Sequence, residues 1–193
     1  MHTTNEDRGF ALMNPVATEP PGVARARLVV AYDEYEAGNR TRHLTDGLSE
    51  RARHLPAVDS SVWKFDIIGM PHMLELAVMD AVVADCVVIA TGADGELPAA
   101  ITDWIDGWVR ERNGNPAMLM ALIGSDEAVE PSAPVIAPYL GAIAARAGMK
   151  FVCHTGDWEN SAALTLGSFL KEVARVQGNG AGEPQPGSPS LVP

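Results

Sequence analysis

The side chains best able to do chemistry in this 193-residue chain are carboxylates that follow apolar runs. Six of them stand just after three such runs: Asp33, Glu34, Asp94, Glu96, Asp126 and Glu127. Carboxylates that converge at one edge of a sheet could bind Mg²⁺ or Ca²⁺, since both ions prefer oxygen ligands. Solvated loop charges are the simpler interpretation, and we therefore predict no metal site.

Histidine and cysteine side chains give weaker signals. His72 and His154 follow predicted strands at opposite ends of the sheet, too far apart to share a metal. Cys86 and Cys153 lie inside separate apolar runs, as buried free thiols do in a reducing compartment. The sequence contains no nucleophile motif, Walker loop, dinucleotide-binding glycine motif or zinc-ligand spacing. It therefore identifies no catalytic residue.

The charge balance excludes two classes of partner. The chain has 14 basic and 25 acidic residues, and its net charge of −11 opposes binding to nucleic acid or to an anionic membrane surface. No apolar segment approaches the roughly 20 residues that span a bilayer. The N-terminal residues also lack the apolar core of a secretion signal, so we expect a cytoplasmic protein.

The stretch from Asp85 to Val109 is the clearest strand, loop and helix in the sequence. A β-branched run ends at Thr91, a loop with two glycines follows, and Pro98 suits a first helical turn. The helix that follows has one apolar face, formed by Ile101, Trp104, Ile105, Trp108 and Val109. Such a junction faces the ligand crevice of a parallel sheet. The position of the two tryptophans predicts core or dimer contacts, whereas Trp158 follows a strand and could border a site.

The elements around this stretch alternate between strands and helices. Four further strands are predicted at 27–31, 61–68, 117–123 and 149–153, and four further helices at 39–54, 71–83, 132–147 and 160–176. Continuous apolar runs favour a parallel sheet that is covered on both faces. With right-handed crossovers, the best topology is an α/β three-layer αβα sandwich whose five-stranded parallel sheet has the order 2-1-3-4-5. We expect one domain at 24–177, a flexible N-terminal arm at 1–23 and a disordered C-terminal tail at 178–193.

The turn and helix after Thr91 also carry a motif. They read Asp94-Gly95-Glu96-Leu97-Pro98 and then Thr102-Asp103-Trp104-Ile105-Asp106. This resembles the flavodoxin-like NADPH-dependent FMN reductases, which include quinone, azo-dye and chromate reductases. Their motif is Thr-Pro-Glu-Tyr-Asn-Gly-Ser-Ile-Pro and then Lys-Asn-Ala-Ile-Asp-Trp. Segments 118–125 and 137–148 are similar to the family's fourth strand and next helix.

The resemblance implies a flavodoxin-like fold and bound FMN, which would pass a hydride from a nicotinamide cofactor to a quinone-like acceptor. It implies a site on the loops after strands 1, 3 and 4, with these candidate residues: Tyr35, Gly38, Asn39, Arg40, Thr41, Gly92, Ala93, Asp94, Gly95, Glu96, Leu97, Gly124 and Ser125. The family's serine-rich phosphate loop is replaced here by residues 32–41, whose three carboxylates would repel a phosphate. Donors at positions 38–41 could still bind an anion if those carboxylates point away.

A second resemblance leaves another function open. Residues 28–34 are similar to the first strand and acidic pair of response-regulator receivers, which bind Mg²⁺ beside a phospho-accepting aspartate. That acceptor position is Ala90 in this chain, and the sequence His154-Thr155-Gly156 replaces the family's lysine. The two hypotheses are an FMN-binding NAD(P)H-dependent reductase-like protein and a non-catalytic signalling or scaffold domain without a cofactor. Formation of a homodimer through a helix with surplus apolar residues is a further hypothesis.

Overall fold

The computed structural model describes residues 25–51, 56–92, 96–112, 117–124 and 135–179. Within them the strands are β1 (Arg25–Tyr32), β2 (Ala57–Lys64), β3 (Cys86–Thr91), β4 (Met118–Ile123) and β5 (Lys150–Thr155). The helices are α1 (Tyr35–Arg51), α2 (Phe65–Ile68), α3 (Pro71–Val82), α4 (Ala99–Glu111), α5 (Ile136–Arg146) and α6 (Glu159–Asn179). The predicted arm 1–23 lies outside the described residues, as does the predicted tail 178–193 except for the end of α6.

The five strands form one parallel sheet with the order β2-β1-β3-β4-β5. This confirms the predicted order. Every residue of β3 and β4 is buried. Their sequences, Cys-Val-Val-Ile-Ala-Thr and Met-Leu-Met-Ala-Leu-Ile, are apolar without alternation because helices cover both faces of the central strands.

Alternate residues of the strands point to two separate cores, one on each face of the sheet. Val87 and Leu119 lie on the face covered by α3, α4 and α5. Val88 and Met120 lie on the opposite face, which α1 and α6 cover. The molecule is therefore the predicted three-layer sandwich. Trp104 and Trp108 are fully buried in the first core, with ring centroids 6.1 Å apart, as the helical periodicity predicts for core residues.

The structure corrects the predicted second strand. We expected a strand over 61–68, but β2 begins at Ala57 and ends at Lys64, and the next four residues form the helical turn α2. Phe65 and Ile68 are buried from that turn. β2 is an edge strand in which Val62 is exposed, so its apolar signal is weak and the neighbouring turn carries the stronger one.

The first helix also differs from the prediction. α1 begins at Tyr35, four residues before the predicted start at Asn39, so most of the predicted phosphate loop forms the first two helical turns. None of the helices in the described part of the chain has the length and apolar content to cross a bilayer.

Candidate functional site

The carboxylate of Asp33 connects the segments that follow β1 and β3. Its Oδ2 accepts hydrogen bonds from the Thr91 hydroxyl at 2.5 Å and the Gly92 amide at 3.1 Å. Its Oδ1 accepts the Glu34 amide at 2.6 Å, and the Asp33 amide donates to the Ala90 carbonyl at 3.2 Å. The carboxylate therefore accepts hydrogen bonds from two backbone amides and one hydroxyl group at the carboxyl edge of the sheet. Parallel α/β proteins bind ligands at this edge.

Arg40, on the second turn of α1, reaches towards β4 and β5. Its guanidinium donates from Nη1 to the Gly124 carbonyl at 3.0 Å and from Nη2 to the Gly156 carbonyl at 3.1 Å. It lies 4.2 Å from the centre of the Trp158 ring, and its Nε is 3.5 Å from Oε1 of Glu159. Only 7% of the Arg40 side chain is exposed. The guanidinium thus joins the first helix to the ends of two strands.

Two glycine turns hold the carbonyl groups that Arg40 contacts. Gly124 and Gly156 have φ values of +97° and +65°, a region that side chains other than glycine rarely adopt. A Cβ at Gly124 would also lie 3.3 Å from the Gly156 amide nitrogen. The glycines therefore allow β4 and β5 to end close together. Both of their carbonyl groups point to the Arg40 guanidinium.

The other candidate residues of α1 lie on a different side of the helix. Tyr35, Gly38, Asn39 and Thr41 line a hollow of about 440 Å³ whose floor includes Ser60 and Val62 of β2. Tyr32 also lines it, and the close approach of its ring to α1 depends on glycine, since a Cβ at Gly38 would lie 2.6 Å from the Tyr32 Cε2 atom. α1 thus separates Arg40 from the other four candidates, which the sequence had grouped into one site.

Glu96 and Leu97 line a second hollow, of about 270 Å³, at the start of α4. Its other described lining residues are Thr102, Val135, Ile136 and Tyr139. The pKa of Tyr139 is raised, mainly by burial and to a smaller extent by the negative charge of Asp106. The lining combines apolar surface with a carboxylate and a phenol, as small-molecule sites commonly do.

Four candidate residues lie outside the described residues, namely Ala93, Asp94, Gly95 and Ser125. So do Asp126 and Glu127, two of the six loop carboxylates. Among the residues that the structure describes, no group of three or more His, Cys, Asp or Glu side chains is close enough to hold a metal ion.

Two residues at this edge have positions that sequence reasoning missed. Trp158, which by its sequence position could border a site, is 1% exposed and lies against Arg40. His154 on β5 places Nδ1 3.0 Å from the Ser161 hydroxyl oxygen, and burial lowers its pKa. The sequence contains no signal for either contact. Each contact joins β5, or the turn after it, to a helix, and it forms only when the helix packs against the sheet.

The described residues do not fit the phosphate of FMN as they stand. The Thr91 hydroxyl and the Gly92 amide donate to Asp33, while Arg40 donates to the two glycine turns. Glu34 adds an exposed carboxylate, whose Oε2 is 3.7 Å from where a Cβ on Gly92 would lie. An incoming phosphate would meet two carboxylates and donors that are already used.

Comparisons with known proteins identify the fold. No protein-family model matches the sequence, and no curated relative does. An oxidoreductase from Corynebacterium diphtheriae superposes with a TM-score of 0.50 at 14% identity, over 79% of this chain and 97% of that one. A flavodoxin from Streptococcus pneumoniae gives a TM-score of 0.48 at 16% identity, over 79% and 99%. An azoreductase from Bacillus anthracis gives 0.44 at 13% identity, over 80% and 99%.

At these identities the similarity concerns the fold alone. The chain has a flavodoxin-like fold, as its sequence predicted.

Proposed function

We propose that this protein binds a small molecule at the carboxyl edge of its sheet, and that the ligand is a flavin in a reductase-like role. The observation that carries the proposal is the meeting of the carboxyl ends of the neighbouring strands β1, β3 and β4 at that edge. Ligands of open parallel sheets bind where the strand order reverses, which in this fold is between β1 and β3. The similar solved structures include a flavodoxin, an azoreductase and an oxidoreductase.

Under this proposal, Asp33 affects the binding of FMN and riboflavin differently. A phosphate bound where β1 and β3 end would compete with the Asp33 carboxylate for the Gly92 amide and the Thr91 hydroxyl. Riboflavin has the same ring system without the phosphate, so this competition does not affect it. We therefore expect Asp33 to weaken the binding of FMN and to have little effect on riboflavin.

The test is a titration of the purified full chain with FMN and with riboflavin, followed by flavin fluorescence and thermal melting. We expect Asp33→Asn to tighten FMN binding by about tenfold, which corresponds to about 1.4 kcal/mol, because it removes a charge that repels the phosphate. Riboflavin binding should change by less than about twofold. A ligand that binds only the folded protein also raises the melting temperature.

A matched control removes the same charge elsewhere. Glu172→Gln changes an exposed carboxylate on α6, far along the helix from the carboxyl edge. We expect FMN affinity to stay at the wild-type value in this variant. Equal tightening in both variants would mean that net charge alone controls the binding, and would remove the specific role of Asp33.

The competing function is a domain that keeps the fold without a cofactor. The observation in its favour is that Asp33 and Arg40 already satisfy the donors and acceptors that a phosphate site would use. Under this hypothesis neither flavin changes the melting temperature of the wild type or of Asp33→Asn. If flavin binds, oxidation of NADPH or NADH by the loaded protein then tests the reductase role.

A further inference from the structure

α3 and the residues that cap its two ends expose a row of apolar side chains. Met70, Met73, Leu76, Met79 and Val83 are 50%, 36%, 49%, 64% and 52% exposed, and we call these five residues the α3 face. Leu76, Met79 and Val83 follow one another at spacings of three and four, as residues do along a helix–helix seam.

The opposite side of the same helix is also apolar. Ala77 and Ala81 are fully buried against the core of the domain. α3 also contains the polar residues His72, Glu75 and Asp80, but apolar side chains form its buried side and much of its exposed side. The α3 face therefore has the composition of a buried surface, whereas Leu164 on α6 is an exposed leucine on a helix whose other exposed residues are mostly polar.

Two of the three acidic residues near the α3 face, Asp66 and Asp80, are engaged within the chain. Asp66 pairs with Lys64 at 2.7 Å, and Asp80 accepts a hydrogen bond from the Trp63 indole at 3.1 Å. Glu75 remains exposed at the border of the face. In a chain of net charge −11, this arrangement keeps most carboxylates from opposing each other when two copies meet through α3.

The area of the α3 face is close to what a dimer needs. Its five residues expose roughly 450 Å² of mostly apolar surface, within the range of about 300–600 Å² of the largest patch on a monomer, which is often functional. Two copies together would bury about 900 Å² of it, and bordering polar side chains would bring the total above the roughly 1,000 Å² of a specific interface.

From these observations we infer that two copies of this chain associate through their α3 faces as a two-fold symmetric dimer. A two-fold axis between Leu76 and Met79 sets the two helices antiparallel, so that Leu76 of one copy packs on Met79 of the other. Antiparallel helices also place opposite ends of their dipoles side by side, which favours this arrangement. We expect weak association, with a dissociation constant on the order of 10⁻⁶ M.

The test measures the mass of the full chain in solution by sedimentation equilibrium over a range of concentrations. We expect the average mass of the wild type to rise from the 20.5 kDa of one chain towards twice that value. Leu76→Glu and Met79→Glu should each weaken association by about tenfold or more, since they place a charge in the centre of an apolar contact. Both positions are exposed in the single chain, so the circular dichroism spectrum and melting temperature of each variant should match those of the wild type.

The matched control is Leu164→Glu, which adds the same charge at an exposed leucine on the other side of the sheet. It should leave the dimer intact. Raising the salt concentration should strengthen association, because salt screens the repulsion between two acidic copies. A wild type that stays at 20.5 kDa up to about 100 μM, well above a micromolar dissociation constant, would overturn the inference and assign the face to a different protein. So would equal weakening by Leu164→Glu.

Discussion

His154 shows how a single titratable side chain is constrained at the end of β5. Its Nδ1 is 3.0 Å from the Ser161 hydroxyl oxygen, and that hydroxyl donates to the Trp158 carbonyl at 3.1 Å. The hydroxyl proton is thus directed elsewhere, and Nδ1 is free to act as the donor. Its Nε2 is buried and has no hydrogen-bond partner among the described residues. Such a ring is favoured in its neutral form, which agrees with the pKa lowered by burial.

This arrangement predicts a stability that depends on pH. Because the folded pKa of His154 lies below its ordinary value of 6.5, the unfolded chain takes up the proton first as the pH falls. The stability that the neutral ring provides is complete above pH 6.5 and is lost as the pH falls through the folded pKa. Between pH 7.5 and pH 5.5, we expect the melting temperature of the wild type to fall more than that of His154→Asn. Parallel melting curves for the two proteins would contradict this assignment.

At the scale of elements, α1 lies close to β1 because of one glycine. The Tyr32 ring passes beneath α1 at Gly38, where a Cβ would lie 2.6 Å and 2.8 Å from two ring atoms. Gly47, nine residues later in the same helix, has no atom within 4 Å of a Cβ position. Both glycines belong to α1, but only Gly38 has a neighbouring side chain where a Cβ would lie.

Replacing each glycine by alanine should have opposite effects on stability. Gly47→Ala should raise the free energy of unfolding by about 0.5–1 kcal/mol, since alanine is the better helix former. Gly38→Ala gains the same propensity but forces the Tyr32 ring aside, and we expect it to lower the free energy of unfolding by about 1 kcal/mol. Urea unfolding measures both values. Adding Tyr32→Ala should turn Gly38→Ala into a stabilising change, and a failure to do so would mean that the ring is not the obstacle.

The elements also show which features a sequence can specify. β3 and β4 were predictable because both faces of each strand are buried, and their apolar runs reflect that burial directly. β2 was misplaced because an edge strand with an exposed Val62 has a weaker apolar pattern than the turn after it. The role of Arg40 was not predictable, since its acceptors are backbone carbonyls, which exist at every position and gain meaning only when the strands have assembled.

At the scale of the whole molecule, Arg40 connects parts that are far apart in the chain. It contacts Gly124 and Gly156, which follow it by 84 and 116 residues, and it lies over Trp158. Its charge is almost fully buried, so these contacts must replace the water that it loses on folding. Removing the guanidinium takes one donor from each of the two carbonyl groups, of which the Gly156 carbonyl keeps the Trp158 amide at 2.9 Å.

We therefore expect Arg40→Met to lower the free energy of unfolding by about 3 kcal/mol, from two hydrogen bonds to a charged donor. The control is Arg42→Met on the same helix, where the side chain is 78% exposed and its Nε lies 3.7 Å from Asp46 Oδ2. An exposed pair of this kind contributes little, and its loss should cost less than about 0.5 kcal/mol. Urea unfolding of both variants at neutral pH measures the difference, and similar losses would contradict the structural role of Arg40.

The two ends of the described chain also meet. The Arg25 amide donates to the Gln177 side chain at 3.1 Å, and the Gln177 side chain donates to the Arg25 carbonyl at 2.8 Å, across 152 residues of sequence. On the ribosome, β1 and α1 emerge long before their partners at Gly156 and Gln177 have been made. The charge of Arg40 then stays in water and the sandwich cannot close until α6 is released. Native folding of this sheet therefore waits for the synthesis of α6, and the early strands are exposed to other nascent chains until then.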